Sequence, residues 1–307
     1  MGQSFSLDSK RKLKSKKSKQ RKARRKIVVT GASGNIGSYF ARCAPENYEL
    51  TLIVHTEDGS TRKLEKFGKV VQADLADLEQ LTKCFRGCDS VLHLAASAAP
   101  DTTWDAVLAN NIIGTYNVFV AARAAGCSQV VYASSIHAVS GYPPDVQVKT
   151  SDPVNPGDIY GVSKCFGEAL ARYMATNEGL RSIAIRIGAF QPENAARNPG
   201  SIGMLDAWVS QRDLQQLIER ALEADDIQFA IVHGLSDNRF KRLDISETRD
   251  LLGYNPKDDL TDFNESLKKL DLSKVKQHSA ADPGMASGIR KELKQANNTR
   301  SNKPKKK

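Results

Sequence analysis

Ile27-Val28-Val29-Thr30-Gly31-Ala32-Ser33-Gly34-Asn35-Ile36-Gly37 is the stretch that decides the fold. Its first four residues are apolar or β-branched, the composition of a strand buried on both faces. They run straight into three glycines spaced G-x-x-G-x-x-G, after which Ser38-Tyr39-Phe40-Ala41-Arg42 can continue as helix. Strand, glycine turn and helix in that order present backbone N–H groups at a helix N-terminus, where a pyrophosphate is held by hydrogen bonds and by the helix dipole. Gly31, Ser33, Gly34, Asn35, Ile36 and Gly37 are therefore the candidate dinucleotide contacts. A plain glycine-rich turn is the competing reading, and the strand before and helix after it weigh against that.

Working outward, strands and helices alternate. Strands are expected at 49–54, 69–73, 90–94, 129–134 and 181–187, and helices at 77–85 and 103–125, with a further helix carrying Tyr160. This alternation implies an α/β fold built on a doubly wound parallel sheet. Ligands of such sheets bind beyond the carboxyl ends of the strands. The Gly31 turn, Asp74-Leu75, Ala95-Ala96-Ser97, Ser134-Ser135 and Gly188 all fall at such ends. From about 188 the pattern loosens into a Pro, Gly and Asn-rich stretch, then a helix at 213–223, a strand at 229–233 and a helix at 245–252. This portion reads as a small substrate-side lobe, which gives a domain spanning 27–267.

Tyr160 and Lys164 stand in Y-G-V-S-K, four apart and so on one helix face. An ammonium beside a phenol favours the phenolate, and the expectation is a lowered tyrosine pKa and a usable base for an alcohol proton. A solvated helix face would show the same spacing; the dinucleotide-type turn upstream favours the catalytic reading.

Hydrophobic residues make up 40% of the 307, enough for a core, and no apolar run approaches the ~20 residues of a membrane span. The N-terminus lacks the apolar segment of a secretory signal. Cys43, Cys84, Cys88, Cys127 and Cys165 have no paired metal-type spacing, so free thiols in a reducing, cytoplasmic compartment and no metal site are expected. The net charge of +10 is unevenly spread. Residues 1–26 hold twelve Lys/Arg against Asp8, and residues 268–307 hold twelve against three acids, so the middle is acidic. Two basic arms of this composition are expected to be disordered. They suit nucleic acid, an anionic membrane or no specific partner. Met1-Gly2-Gln3-Ser4-Phe5-Ser6 also fits the N-myristoylation pattern at Gly2, and an acyl chain beside a polybasic run is a two-signal membrane anchor.

T-G-A-S-G-N-I-G, the A-D-L ending at Leu75, H-L-A-A at 93–96, N-I-x-G-T from Asn111 and Y-G-V-S-K together resemble the extended short-chain dehydrogenase/reductase family, the NAD-dependent epimerases and dehydratases. Within it the chain is most similar to uronate dehydrogenases and the related archaeal NAD-dependent glucose-6-phosphate dehydrogenases, through A-S-S-I-H-A-V (133–139), Y-G-V-S-K-C-F-G-E (160–168), R-I-G (186–188), M-L-D-A-W-V-S-Q-R-D-L (204–214) and H-G-L-S-D-N (233–238). The resemblance implies oxidation of a cyclic sugar at its anomeric carbon, with a lactone as product. Ser135, Tyr160 and Lys164 would be catalytic, and Asp74, Leu75, Ala95, Ala96 and Asn111 would join the cofactor site. Ser97, His137 and Arg186 would contact the sugar, Arg186 its acidic group. NAD-specific members end the second strand with an acid, whereas this chain has Val54 and then His55, so the cofactor is read as NAD or NADP. Uronate dehydrogenases carry Asn after the catalytic Ser, where this chain has Ile136. A homodimer through the long helices is also implied. An NAD(P)-dependent glucose-6-phosphate dehydrogenase or a sugar epimerase, or an idle dinucleotide sensor tethered by the arms to nucleic acid or membrane, are the other readings.

Overall fold

A computed structural model describes residues 24–98 and 102–269. Nine strands run in chain order: β1 (Arg25–Thr30), β2 (Tyr48–Val54), β3 (Lys69–Gln72), β4 (Ser90–His93), β5 (Gln129–Ser135), β6 (Arg181–Ile187), β7 (Ala189–Phe190), β8 (Trp208–Val209) and β9 (Phe229–Gly234). Seven form one sheet ordered β3-β2-β1-β4-β5-β6-β9, and every pairing in it is parallel. The strand order reverses between β1 and β4, which is where a doubly wound sheet opens its ligand crevice.

The helices are α1 (Asn35–Cys43), α2 (Leu78–Phe85), α3 (Trp104–Ala106), α4 (Gly114–Ala125), α5 (Ile159–Asn177), α6 (Glu193–Ala196), α7 (Gln211–Glu223), α8 (Ser246–Leu252) and α9 (Leu260–Phe263). On one face of the sheet, Phe40 of α1, Leu214, Leu217 and Ile218 of α7 and Leu252 of α8 pack with Ile27, Val29, Leu52 and Ile185. On the other, Leu81 and Phe85 of α2, Val118 and Phe119 of α4 and Met174 of α5 pack with Val28, Val91, Val130 and Ala184. Each strand thus sends alternate side chains into two helix layers, which is why the strands read as unbroken apolar runs.

Three placements differ from expectation. β1 begins at Arg25, two residues earlier, because its peptide pairs beside Tyr48 and its guanidinium bonds Asp225 at 2.7 Å. The strand expected at 229–233, in the loosened part of the chain, lies in the main sheet, where as β9 it pairs with β6. The helix expected at 103–125 is interrupted by a π-helical segment, Val107–Ile113. The loose stretch after Gly188 contains the short parallel pair β7–β8, which ties the substrate-side wall to the end of β6. Of the basic arms, residues 1–23 and 270–307, and with them the reading of Gly2, lie outside the described residues, whereas Arg25 and Lys26 belong to β1 and Lys268 and Lys269 to a 3₁₀ turn.

Candidate functional site

The glycine turn is dictated by space. Gly31 has φ +68°, and a Cβ there would stand 2.7 Å from the Ala95 nitrogen. A Cβ on Gly37 would stand 2.4 Å from the Gly31 oxygen. These two glycines let α1 start tightly against β1 and β4. Gly34 is different: it is exposed, nothing crowds it closer than 3.3 Å, and it caps α1 without a side-chain hydrogen bond. Ser33, Gly34 and Asn35 are exposed with Ile36 half-buried, so the N-terminus of α1 offers uncapped N–H groups. That cradle fits a dinucleotide pyrophosphate. Beside it, the Thr30 hydroxyl and the His93 ring are hydrogen-bonded at 2.7 Å, and His93 also meets Thr115 at 3.2 Å. Burial lowers His93 to about 3, so the ring is neutral and serves as a fixed post under the cleft floor.

From this turn a cleft of about 560 Å³ runs along the carboxyl ends of β1, β4, β5 and β6. Asn35, Ile36 and Ala96 line one end; Ser135, His137, Tyr160 and Lys164 line the middle; Phe190, Gln191, Gly203, Asp206 and Arg242 line the far wall. Ser135 ends β5, and its Oγ accepts from the His137 backbone N–H at 3.2 Å, which starts a 3₁₀ turn, Ile136–Val139. The Ser135 hydroxyl lies on the same stretch of the cleft as the Tyr160 phenol and acts to lower its pKa. Asp158 caps α5, accepting from the Gly161 N–H at 2.7 Å, and its other oxygen receives Nδ1 of His137 at 2.6 Å. Gly161 is required here, since a Cβ would stand 2.2 Å from the His137 oxygen. Through that close approach the His137 and Tyr160 rings meet edge to face with centroids 5.4 Å apart.

Electrostatics in the protein alone run opposite to the expected lysine effect. Burial pushes the Tyr160 phenol up to about 12, a shift that the Ser135 hydroxyl only partly opposes and the Asp158 charge adds to. Burial pulls the Lys164 ammonium down to about 7. The reason is distance and solvation: Lys164 Nζ donates to the Ala133 carbonyl at 2.8 Å and stands 5.4 Å from the Tyr160 ring centroid. Desolvation of both groups outweighs their mutual effect.

Several expected site residues take other places. Arg186 is 1% exposed and lies behind the cleft, its guanidinium donating twice to the Glu168 carboxylate at 2.9 Å each. Nε and Nη2 are engaged in an internal ion pair and the residue does not line the cleft, and the reading of Arg186 as the receptor for a sugar acid is corrected on that ground. Asn111 faces protein rather than cofactor: its oxygen accepts from Ser97 N–H at 2.8 Å, and its amide donates to the Ser97 carbonyl and to Ser163 Oγ. Ser97 is half-buried, with its Oγ accepting from the Asn110 amide at 3.0 Å, and Ala96 and Ala98 line the cleft instead. Asp74 is exposed and accepts from Ala76 N–H, while the Leu75 carbonyl accepts from Asn117. The Ala95 N–H donates to Thr30 Oγ1 at 3.4 Å.

Three contributors were not foreseen. Asp158 was legible as the polar residue before an apolar helix start. Asp206 and Arg242 were not, because they meet only through folding of the far wall. The Arg242 N–H donates to the Asp206 carbonyl at 2.8 Å, and its guanidinium reaches the carbonyls of Ser140 and Tyr142 at 3.2 and 2.7 Å. Among the described residues no His/Cys/Asp/Glu group could hold a metal ion, and no helix is long and apolar enough to cross a membrane.

Residues 27–226 match the model of the NAD dependent epimerase/dehydratase family. An L-arabinose 1-dehydrogenase (NAD(P)(+)) of Haloferax volcanii is 36% identical, the alignment covering 76% of this chain and 96% of the relative. A uronate dehydrogenase of Agrobacterium fabrum is 35% identical over 79% of this chain and 88% of its own. A mutant uronate dehydrogenase from Agrobacterium tumefaciens, solved in complex with NAD, superposes with a TM-score of 0.70 at 29% identity, over 86% of this chain and all of that one.

Proposed function

The chain belongs to the NAD dependent epimerase/dehydratase family, and from that membership and the cleft we propose that it is an NAD(P)-dependent sugar dehydrogenase, oxidising the anomeric hydroxyl of a cyclic sugar to a lactone. The observation that carries this is the convergence of Ser135, Tyr160 and Lys164 on one cleft that begins at the Gly31 turn. Relatives at 35–36% identity oxidise sugars by name, one a uronate and one L-arabinose.

In this reading Tyr160 removes the C1 hydroxyl proton as C1 loses hydride, and the Ser135 hydroxyl holds the reacting oxygen by a hydrogen bond. The bound NAD(P) would supply the hydride acceptor and a positive charge that favours the tyrosinate. Lys164, fixed to the Ala133 carbonyl, supports the nicotinamide ribose. His137, held by Asp158, leaves its second ring nitrogen for a sugar hydroxyl. Gly31, Ser33, Gly34, Asn35 and Ile36 bind the pyrophosphate, with Asp74 and Leu75 at the adenine side. Asn111 and Ser163 are positioning residues: they tie the segment after β4 to α5. At the end of β2, Val54 is buried and His55 exposed, with no carboxylate on either to repel a 2′-phosphate, so NADP is accepted as well as NAD.

The test is direct. Purified protein with NAD or NADP is offered galacturonate, glucuronate, L-arabinose and glucose 6-phosphate while reduced nicotinamide is followed by absorbance. Turnover of at least one sugar with lactone formation is expected. Cofactor binding without turnover of any sugar would instead leave a dinucleotide sensor.

A further inference from the structure

The reacting groups stand on two different elements. Ser135 ends β5, whereas Tyr160 and Lys164 belong to α5, so their alignment depends on how the helix sits against the strand. Buried side-chain bonds cross that seam. Lys164 Nζ donates to the Ala133 carbonyl at 2.8 Å. One helical turn further on, the Glu168 carboxylate accepts from Ser134 Oγ at 2.6 Å. Ala133, Ser134 and Ser135 are consecutive, so α5 grips the strand just before the residue that presents the hydroxyl. The carboxylate is itself locked from the next strand. Arg186 of β6, the register partner of Ser134, donates Nε to Oε1 and Nη2 to Oε2, each at 2.9 Å. Ser134, Lys164, Glu168 and Arg186 are all buried.

We infer, resting on the reading of Tyr160 as the base, that Glu168 and Ser134 are positioning residues for the oxidation: the carboxylate, clamped by Arg186, fixes where the Ser135 hydroxyl on β5 stands relative to Tyr160 and Lys164 on α5. An ion pair that served stability alone would need no bond to β5, and burying two charges costs desolvation that apolar side chains avoid. The two parallel bonds from Arg186 restrict the carboxylate to one orientation. In that orientation Oε1 meets Ser134 at the short distance of a charge-assisted hydrogen bond. Alignment matters here because a proton and a hydride leave the same C1–O unit, and small misplacements of the groups around it are costly. Gly167, beside Glu168, lets the helix come this near: a Cβ there would stand 2.2 Å from the Tyr132 hydroxyl of β5. The Glu168 charge acts in the same sense, favouring the Lys164 ammonium against its desolvation.

Two variants separate positioning from stability. In Glu168→Leu combined with Arg186→Met, both charges leave together. In Ser134→Ala the ion pair stays and only the bond to β5 is lost. The full-length protein is assayed with whichever of galacturonate, glucuronate, L-arabinose and glucose 6-phosphate it oxidises, with thermal midpoint and NAD affinity as the folding control. The double variant is expected to lose about 100-fold in kcat and Ser134→Ala about tenfold, with sugar KM and NAD affinity unchanged within about twofold. Ser134→Ala keeps its charges paired, so it decides the matter should the double variant fail to fold. A kcat within about twofold of the unaltered protein in either folded variant, or a loss carried by KM instead, would overturn the inference while leaving anomeric oxidation intact. Absence of turnover with every sugar in the unaltered protein, with NAD still bound, would overturn both.

Discussion

Tyr160 and Lys164 were recognisable from their spacing together with the glycine turn upstream, but their charge states depend on burial, which spacing does not report. The phenol stands at about 12 and the ammonium at about 7 in the protein alone. Removing the phenol oxygen in Tyr160→Phe should lower kcat by about 10³-fold while NAD affinity, read by fluorescence titration, stays the same; retained turnover would eliminate Tyr160 as the base. Because the phenolate is the active form, kcat/KM should climb with pH across the neutral range, and the residual rate of the variant should not. Lys164 makes a separate prediction about stability. Its folded pKa lies below its ordinary 10.5, so between about 7 and 10.5 the unfolded chain binds more protons and stability rises with pH. The thermal midpoint of the wild type minus that of Lys164→Met should therefore grow from pH ~7 to pH ~10. A gap independent of pH would show that the ammonium is well solvated. Arg186 marks the limit of legibility at this scale: its position at the end of β6 was readable, but the guanidinium turns to Glu168, and nothing local in the sequence says which carboxylate it meets.

At the scale of elements, periodicity reports that a segment is strand or helix but not which neighbour it joins. Residues 229–233 read as a strand, yet only the fold shows it bonded to β6. The buried pair between α5 and β6 is of the same kind. Arg186 and Glu168 are 1% and 3% exposed, and Ser134 Oγ adds a hydrogen bond to Glu168 at 2.6 Å. Removing one member leaves a buried charge without its partner, so Arg186→Met should destabilise by about 3–5 kcal/mol in urea unfolding. Arg186→Met combined with Glu168→Leu should recover much of that loss, since both charges then leave the interior together. Sugar KM in whatever fraction of Arg186→Met folds should be unchanged. A selective KM rise for acidic sugars would place the guanidinium in the substrate site after all. The π segment of 107–113 escaped the reading for a similar reason: Asn111 looked like one more polar residue on a helix, and its three bonds to Ser97 and Ser163 exist only when the segment after β4 and α5 both pack against it.

The whole molecule is an acidic body between two strongly basic segments, a contrast that a net charge of +10 conceals. Catalysis as read from the cleft draws on residues between 31 and 242, so the basic segments are expected to govern where the protein sits rather than what it turns over. A chain trimmed to residues 24–269 keeps β1 whole from Arg25 and should match the full chain in kcat/KM. The two should part in their affinity for polyanions. The full chain should bind anionic vesicles or nucleic acid tightly at ~50 mM salt and lose about 10³-fold or more by ~200 mM, as release of many counterions requires. The trimmed, acidic body should bind neither. Vesicles and nucleic acid separate the two partners, and the mass of the mature N-terminus separates charge alone from charge plus acyl chain. A myristoyl group on Gly2 would make vesicle binding persist at high salt, because burial of the chain is not screened. Equal retention of full and trimmed chains on the vesicles would dismiss the basic segments as the determinant. Loss of sugar turnover on trimming would instead give them a part in the cleft.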